Sequence, residues 1–193
     1  MKKSTIILIA VVAIVALWGI SAYNGLVKSD ETVSNTWAKV ESDYQRRADL
    51  IPNLVNTVKG YAQHERETFE SVVSARAKAT QTTLSVDELT EENMKKFQQA
   101  QSELSSALSR LIAVQENYPD LKANENFKEL QAQLEGTENR IKESRNAFND
   151  AVKSYNISVR RFPTNILANM FGFDRKAEFK ATEGAEKAPE VSF

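Results

Sequence analysis

Cysteine is absent from all 193 residues, which excludes disulfides, thiolate chemistry, thiol-based zinc sites and a cysteine-linked lipid anchor. Histidine occurs once, as His64, and one histidine without cysteine does not assemble a typical zinc site. His64 and Glu65 are neighbours in sequence, so on a helix they point about 100° apart and make no ready acid–base dyad. Glycine and proline are scarce, at 6 and 4, and the chain after position 30 is rich in Ala, Glu, Lys, Gln, Leu and Ser, which suits long helices. Neither charge sign dominates: 25 basic residues stand against 26 acidic ones. No face-wide basic field follows, and nucleic acid is not an expected partner. The motifs G-x-G-x-x-G, the P-loop, D-x-D-x-D-G and E-x-x-H are all missing. Composition therefore predicts no catalytic residue, no cofactor and no metal.

Charge is also missing between Lys3 and Lys28. That stretch holds Thr5, Ile6, Ile7, Leu8, Val11, Val12, Ile14, Val15, Leu17, Trp18, Ile20 and Ala22. As a helix, Thr5 to Ala22 is about 27 Å long, close to the ~30 Å hydrocarbon core of a bilayer. Ten Ile, Leu and Val side chains between Ile6 and Ile20 favour insertion by about 3 to 6 kcal/mol. Trp18 and Tyr23 stand where an interfacial belt forms. A cleaved signal peptide is the competing reading, but Ile20-Ser21-Ala22 is a poor Ala-x-Ala-like site. Lys2, Lys3 and the amino terminus outweigh Lys28 and Lys39, so a cytoplasmic N-terminus and an extracytoplasmic bundle are expected in a bacterial inner membrane.

From Val33 apolar residues recur every three or four positions, through Trp37, Val40, Tyr44, Ile51, Leu54, Val58, Tyr61, Phe69 and Val72, the stripe of a core-facing helix. This reading gives one helix from about Asp30 to Ala79, bent at Pro52 and weakened at Gly60. Ser85 and Glu88 form a capping box for a second helix ending before Asn117–Asp120. A third runs from about Asn124 to the Arg161-Phe162-Pro163 stop, and Pro163 to Gly172 brackets a short closing helix. The expected fold is all-α: a membrane anchor over 1–27, then an up-down-up antiparallel bundle of three long helices plus a short fourth over 28–180. Residues 181–193 read as a disordered polar tail.

Charges interrupt the stripe. Arg47 and Glu65 fall at inward positions of the first helix, and in the third the same count turns inward at Thr137 or Glu138, and at Ser144 or Arg145. With the first and third helices parallel, Glu65 lies within a turn of Arg145, and a Glu65–Arg145 ion pair across the bundle is expected. Such a pair fixes register more than it stabilises. Arg46, Arg47 and Asp49 map to the bundle end near Asn117–Asp120, where they could bond orphan carbonyls, with Asp49 capping a helix restarted at Pro52.

Long stretches resemble the LemA family: Trp37 to Glu65 with its "YQRRADLIPNLV" run, Glu116 to Phe127, Thr137 to Asn156 and Phe162 to Phe173. Ser144-Arg145 and Phe148-Asn149 stand where the family usually has Ala-Arg and Tyr-Asn. The resemblance implies a bacterial single-pass membrane protein with a helical bundle, and brings no established activity or catalytic residues.

Two functions compete on the sequence. The first is a membrane-anchored scaffold or interaction module without catalysis. In it Trp37, Val40, Tyr44, Arg46, Arg47 and Asp49 form a contact surface, and Val33 to Tyr44 extends past the bundle as a self-associating stalk or a site for a protein partner. Its alternative folds that stripe back inside. The second function is a ligand-binding or enzymatic bundle with a polar pocket of Arg46, Arg47, Asp49, Asn53, Arg145 and Asn149. Lipid-surface binding beyond the anchor lacks a basic cluster, because Lys28 is followed by Asp30 and Glu31.

Overall fold

The computed structural model describes residues 3–180, and the tail expected at 181–193 lies outside them. An all-α bundle behind a long apolar helix is what it shows, with no strand among the described residues. Helix α1 runs without interruption over Lys3–Lys59, about 85 Å at helical rise. It is followed by α2 (Arg66–Gln81), α3 (Glu91–Ala113), the short α4 (Pro119–Ala123), α5 (Glu125–Arg160) and α6 (Thr164–Phe171).

The first rod differs from the expectation of one bent helix over 30–79. Proline lacks the N–H that would bond Ala48 O, yet α1 continues through Pro52. The reason lies on α2: Arg76 Nε donates to Ala48 O at 2.8 Å, so the orphaned carbonyl keeps a partner. The break falls at Gly60–Glu65 instead, where Tyr61 N and Ala62 N both bond Val58 O and Ala62 is fully buried. There the chain reverses, and the stripe after Phe69 belongs to a separate helix.

That extra reversal changes the direction of everything downstream. Helices α1 and α5 run antiparallel, not parallel: Trp37 meets Phe148, Arg47 meets Glu138, and Tyr61 meets Asn124. The Ser85–Glu88 capping box forms, but it opens only a single tight turn, Val86–Glu88. Helix α3 starts later, where the Thr90 side chain accepts from Asn93 N. Asn124 caps α5 by accepting from Phe127 N at 2.9 Å, as an N-cap asparagine should. Gly172, at φ +76°, ends α6 in the left-handed region that glycine enters without strain.

After Gly172 the chain becomes an extended strap that returns along the bundle. Two asparagines of α5 hold it. Asn156 pairs with both the N–H and the carbonyl of Lys176, and Asn149 does the same with Phe179. Seven residues of helix and three of extended chain each advance about 10 Å, so the two clamps match in register. Phe179 then packs on Trp37, Phe97 and Phe148.

Candidate functional site

Arg47 is the largest charged side chain in the interior, at 1% exposure. Position 47 is reached by the same three-and-four spacing that buries Val40, Tyr44, Ile51 and Leu54, so α1 delivers its guanidinium to the bundle axis. One terminal nitrogen donates to Ser105 Oγ at 2.9 Å and to Glu138 Oε1 at 2.8 Å. The other donates to the Gln101 side-chain oxygen, and the guanidinium carbon lies 5.1 Å from the Tyr44 ring centre. Gln101 Nε2 reaches Ala79 O at 3.4 Å. A single cation thus joins α1 to α3 and α5, and through Gln101 to the end of α2.

Burying a charge is tolerated when it is paired and hydrogen-bonded. Here Glu138 remains 44% exposed while the Arg47 side chain is 2% exposed, so the carboxylate keeps much of its hydration and the arginine bears the desolvation. Burial also holds the Tyr44 hydroxyl above its usual pKa, against the lowering pull of Arg145 and Arg47. Beside this network, α1, α2 and α3 leave an open cleft of about 410 Å³ lined by Glu41, Gln45, Ala48, Thr80 and Phe97. Burial raises the Glu41 carboxyl above its ordinary value. No group of three or more His, Cys, Asp or Glu side chains able to hold a metal ion occurs among the described residues.

The expected Glu65–Arg145 pair does not form. Glu65 sits in the reversal before α2, accepting from Tyr118 Oη at 3.3 Å. Arg145 lies near Tyr44 and stacks over the Phe179 ring at 4.5 Å. The pairing assumed parallel helices; the antiparallel arrangement puts these residues at different heights. The inward arginine was legible, but its partner is Glu138, one of the two positions at which the α5 spacing turned inward. Arg46 is exposed, and Asp49 accepts from Gln45 rather than capping Pro52. Both lie mid-bundle, not at the Asn117–Asp120 end. The stalk is likewise corrected: Val33, Trp37, Val40 and Tyr44 are buried within the chain's own core. Trp37 Nε1 donates to Leu84 O at 2.9 Å. No shared pocket of the six polar residues exists either, since Asn149 and Arg145 are engaged with Phe179 and Arg47 faces α3. Arg76 and the Asn149/Asn156 clamp escaped sequence reading. A proline inside an unbroken stripe was the one clue to Arg76.

The N-terminal part of α1 is long and apolar enough to cross a membrane, with a mean hydropathy of 2.6 over its best window and none of that window buried. The chain is 28% identical over 189 residues to magnetosome protein MamQ 2 of Paramagnetospirillum magneticum, covering 89% of this chain and 69% of that one. It is 26% identical over 174 residues to magnetosome protein MamQ of Magnetospirillum gryphiswaldense, covering 81% and 64% respectively. Protein LemA of Metamycoplasma hominis is 24% identical over 160 residues, covering 83% of this chain and 69% of that protein. The LemA family model matches residues 36–193, from Thr36 within α1 through the Arg47 network and the strap, and the chain belongs to the LemA family.

Proposed function

We propose that this protein is a membrane-anchored helical scaffold that presents a rigid bundle to a protein partner and performs no chemistry of its own. One observation carries the reading. Helix α1 is continuous from the apolar span to Lys59, and from Leu26 onward it is the central rod of the bundle. The bundle is therefore joined to the apolar span through one continuous helix, without a flexible linker. The interior charge is spent on alignment: Arg47 bonds groups on two other helices, α3 and α5, and presents nothing to a substrate. The cleft beside it is the concave surface most suited to a partner, with Gln45 and Glu41 at its rim. The span and the lysines before it favour a bacterial inner membrane with the bundle outside.

A photo-reactive residue in place of Gln45, and separately of Arg46, tests this in cells. A discrete adduct with another protein from Gln45 is the expected result. Adducts from neither position, or turnover of a small molecule by the purified chain, would overturn it. A ligand-binding reading has no comparable support, because its polar residues are distributed over separate places.

A further inference from the structure

We propose that α6, with the turn before it, is an amphipathic foot lying in the interface of the same bilayer that α1 crosses. The proposal rests on reading the start of α1 as a membrane span. Location comes first. Tyr23 closes the apolar stretch, and its ring meets Phe171 edge-on at 4.9 Å and Phe173 at 5.9 Å. Helix α6 is therefore held at the level where the span becomes the bundle.

Its two faces differ as an interfacial helix requires. Ala168 is fully buried and Leu167 packs on the core. On the other side Phe162, Ile166 and Met170 recur every four residues and are 77%, 58% and 64% exposed, with Phe171 beside them at 54%. Four large apolar side chains on α6 and the turn before it make a patch, unlike isolated exposed residues such as Val73. Aromatic and aliphatic groups at this depth gain from the headgroup boundary, where rings are favoured.

The surrounding charges agree. Lys28, Arg160, Arg161 and Arg175 are exposed around this end of the bundle, and long cationic side chains reach headgroup phosphates while their stems stay apolar. Asp174 and Glu31 lie among them, but Asp30 is already paired with Lys176 at 2.9 Å. Apolar insertion is the main attraction and charge a supplement. The folded chain thus assembles the surface that its linear order around Lys28 lacks. A foot and a span together hold the bundle at two points, which fixes its tilt and rotation as well as its height.

The absence of cysteine makes the test direct. Single variants Ile166→Cys, Met170→Cys, Val12→Cys and Gln133→Cys of the full chain are labelled with an environment-sensitive fluorophore. They are then reconstituted in phosphatidylcholine–phosphatidylglycerol vesicles containing lipids brominated near the headgroup or deep in the chain. The expected result is severalfold stronger quenching of the Ile166 and Met170 labels than of the Gln133 label, with shallow bromines the more effective. The Val12 label should respond to deep bromines. Labels at 166 and 170 that behave like Gln133 while Val12 stays deep would sink the foot and leave the span standing. Labels shielded from water yet unquenched by either lipid would mean that protein covers this face, and would overturn the proposal equally. Loss of Val12 quenching would remove the span, and the foot with it.

Discussion

The bundle has two halves, and they are packed with different materials. Toward the span, the core gathers six aromatic side chains, Trp37, Tyr44, Phe97, Phe148, Tyr155 and Phe179, among aliphatic ones such as Leu26, Val33 and Val152. Beyond Arg47 it is mainly aliphatic: Ile51, Leu54, Val58, Leu104, Leu108, Leu111 and Leu134. The far half has four helices to close around its axis. The near half does not, because α2 ends at Gln81, while α1 and α5 continue and α3 enters only with its first turns, which carry Met94 and Phe97. Large rings and the strap fill the space that α2 leaves. Aromatic side chains bury 150–250 Å² each, so few residues suffice there. Arg47 stands at the border, where the two packings must keep a common register.

The largest expected effect tests the near half. Trp37→Ala removes the side chain on which Phe97, Phe148 and Phe179 converge, and should cost about 4 kcal/mol, against about 3 kcal/mol for Leu108→Ala in the far half. Denaturant unfolding in detergent, followed by circular dichroism, would measure both; equal or reversed losses would break the contrast. Next comes the border. Glu138→Ala strips Arg47 of its anionic partner and should cost up to about 3 kcal/mol, whereas Arg47→Met, which removes the buried charge itself, should cost markedly less. If the arginine variant is the worse of the two, Arg47 stabilises rather than aligns.

A smaller effect, about 1 to 2 kcal/mol, is expected from Arg76→Ala, which leaves the Ala48 carbonyl without its donor. Adding Pro52→Ala returns an N–H to that carbonyl, so the double variant should recover much of the loss; strict additivity would refute the rescue. The smallest effect at neutral pH comes from Tyr155. Burial pushes the Tyr155 hydroxyl well above its usual pKa, helped by Asp30, Asp174 and Asp87. The folded state then holds this proton after the unfolded state has lost it. The stabilisation is complete below about pH 10 and falls as pH rises beyond that value. Tyr155→Phe should flatten the alkaline limb of the unfolding midpoint against pH, and an unchanged slope would show that this hydroxyl is not the cause.

Legibility followed range along the chain. Periodicity marked the stripe that places Trp37, Tyr44, Ile51 and Leu54 inside, since helical spacing is a local property. Asn124 and Gly172 were readable as helix ends for the same reason. The break was misplaced because Pro52 is a stronger local signal than Gly60, and its penalty is cancelled by Arg76, which lies 24 residues further on. One missed reversal then inverted the α1–α5 direction and moved the ion pair from Arg145 to Arg47–Glu138. The polar residues near position 47 stand together in the sequence, yet they go to different places, because neighbours on a helix face different directions.

Sequence alone determined that this chain is helical, that its start is apolar over the width of a bilayer, and that one arginine turns inward. Each of these depends on residue type and spacing within a few turns. Tertiary structure decided which groups that arginine meets, how a proline survives inside α1, and what covers Trp37. Those answers join residues far apart in the chain, such as Trp37 with Phe179 and Tyr23 with Phe171. Such pairings depend on how many times the backbone reverses, which no local pattern fixes.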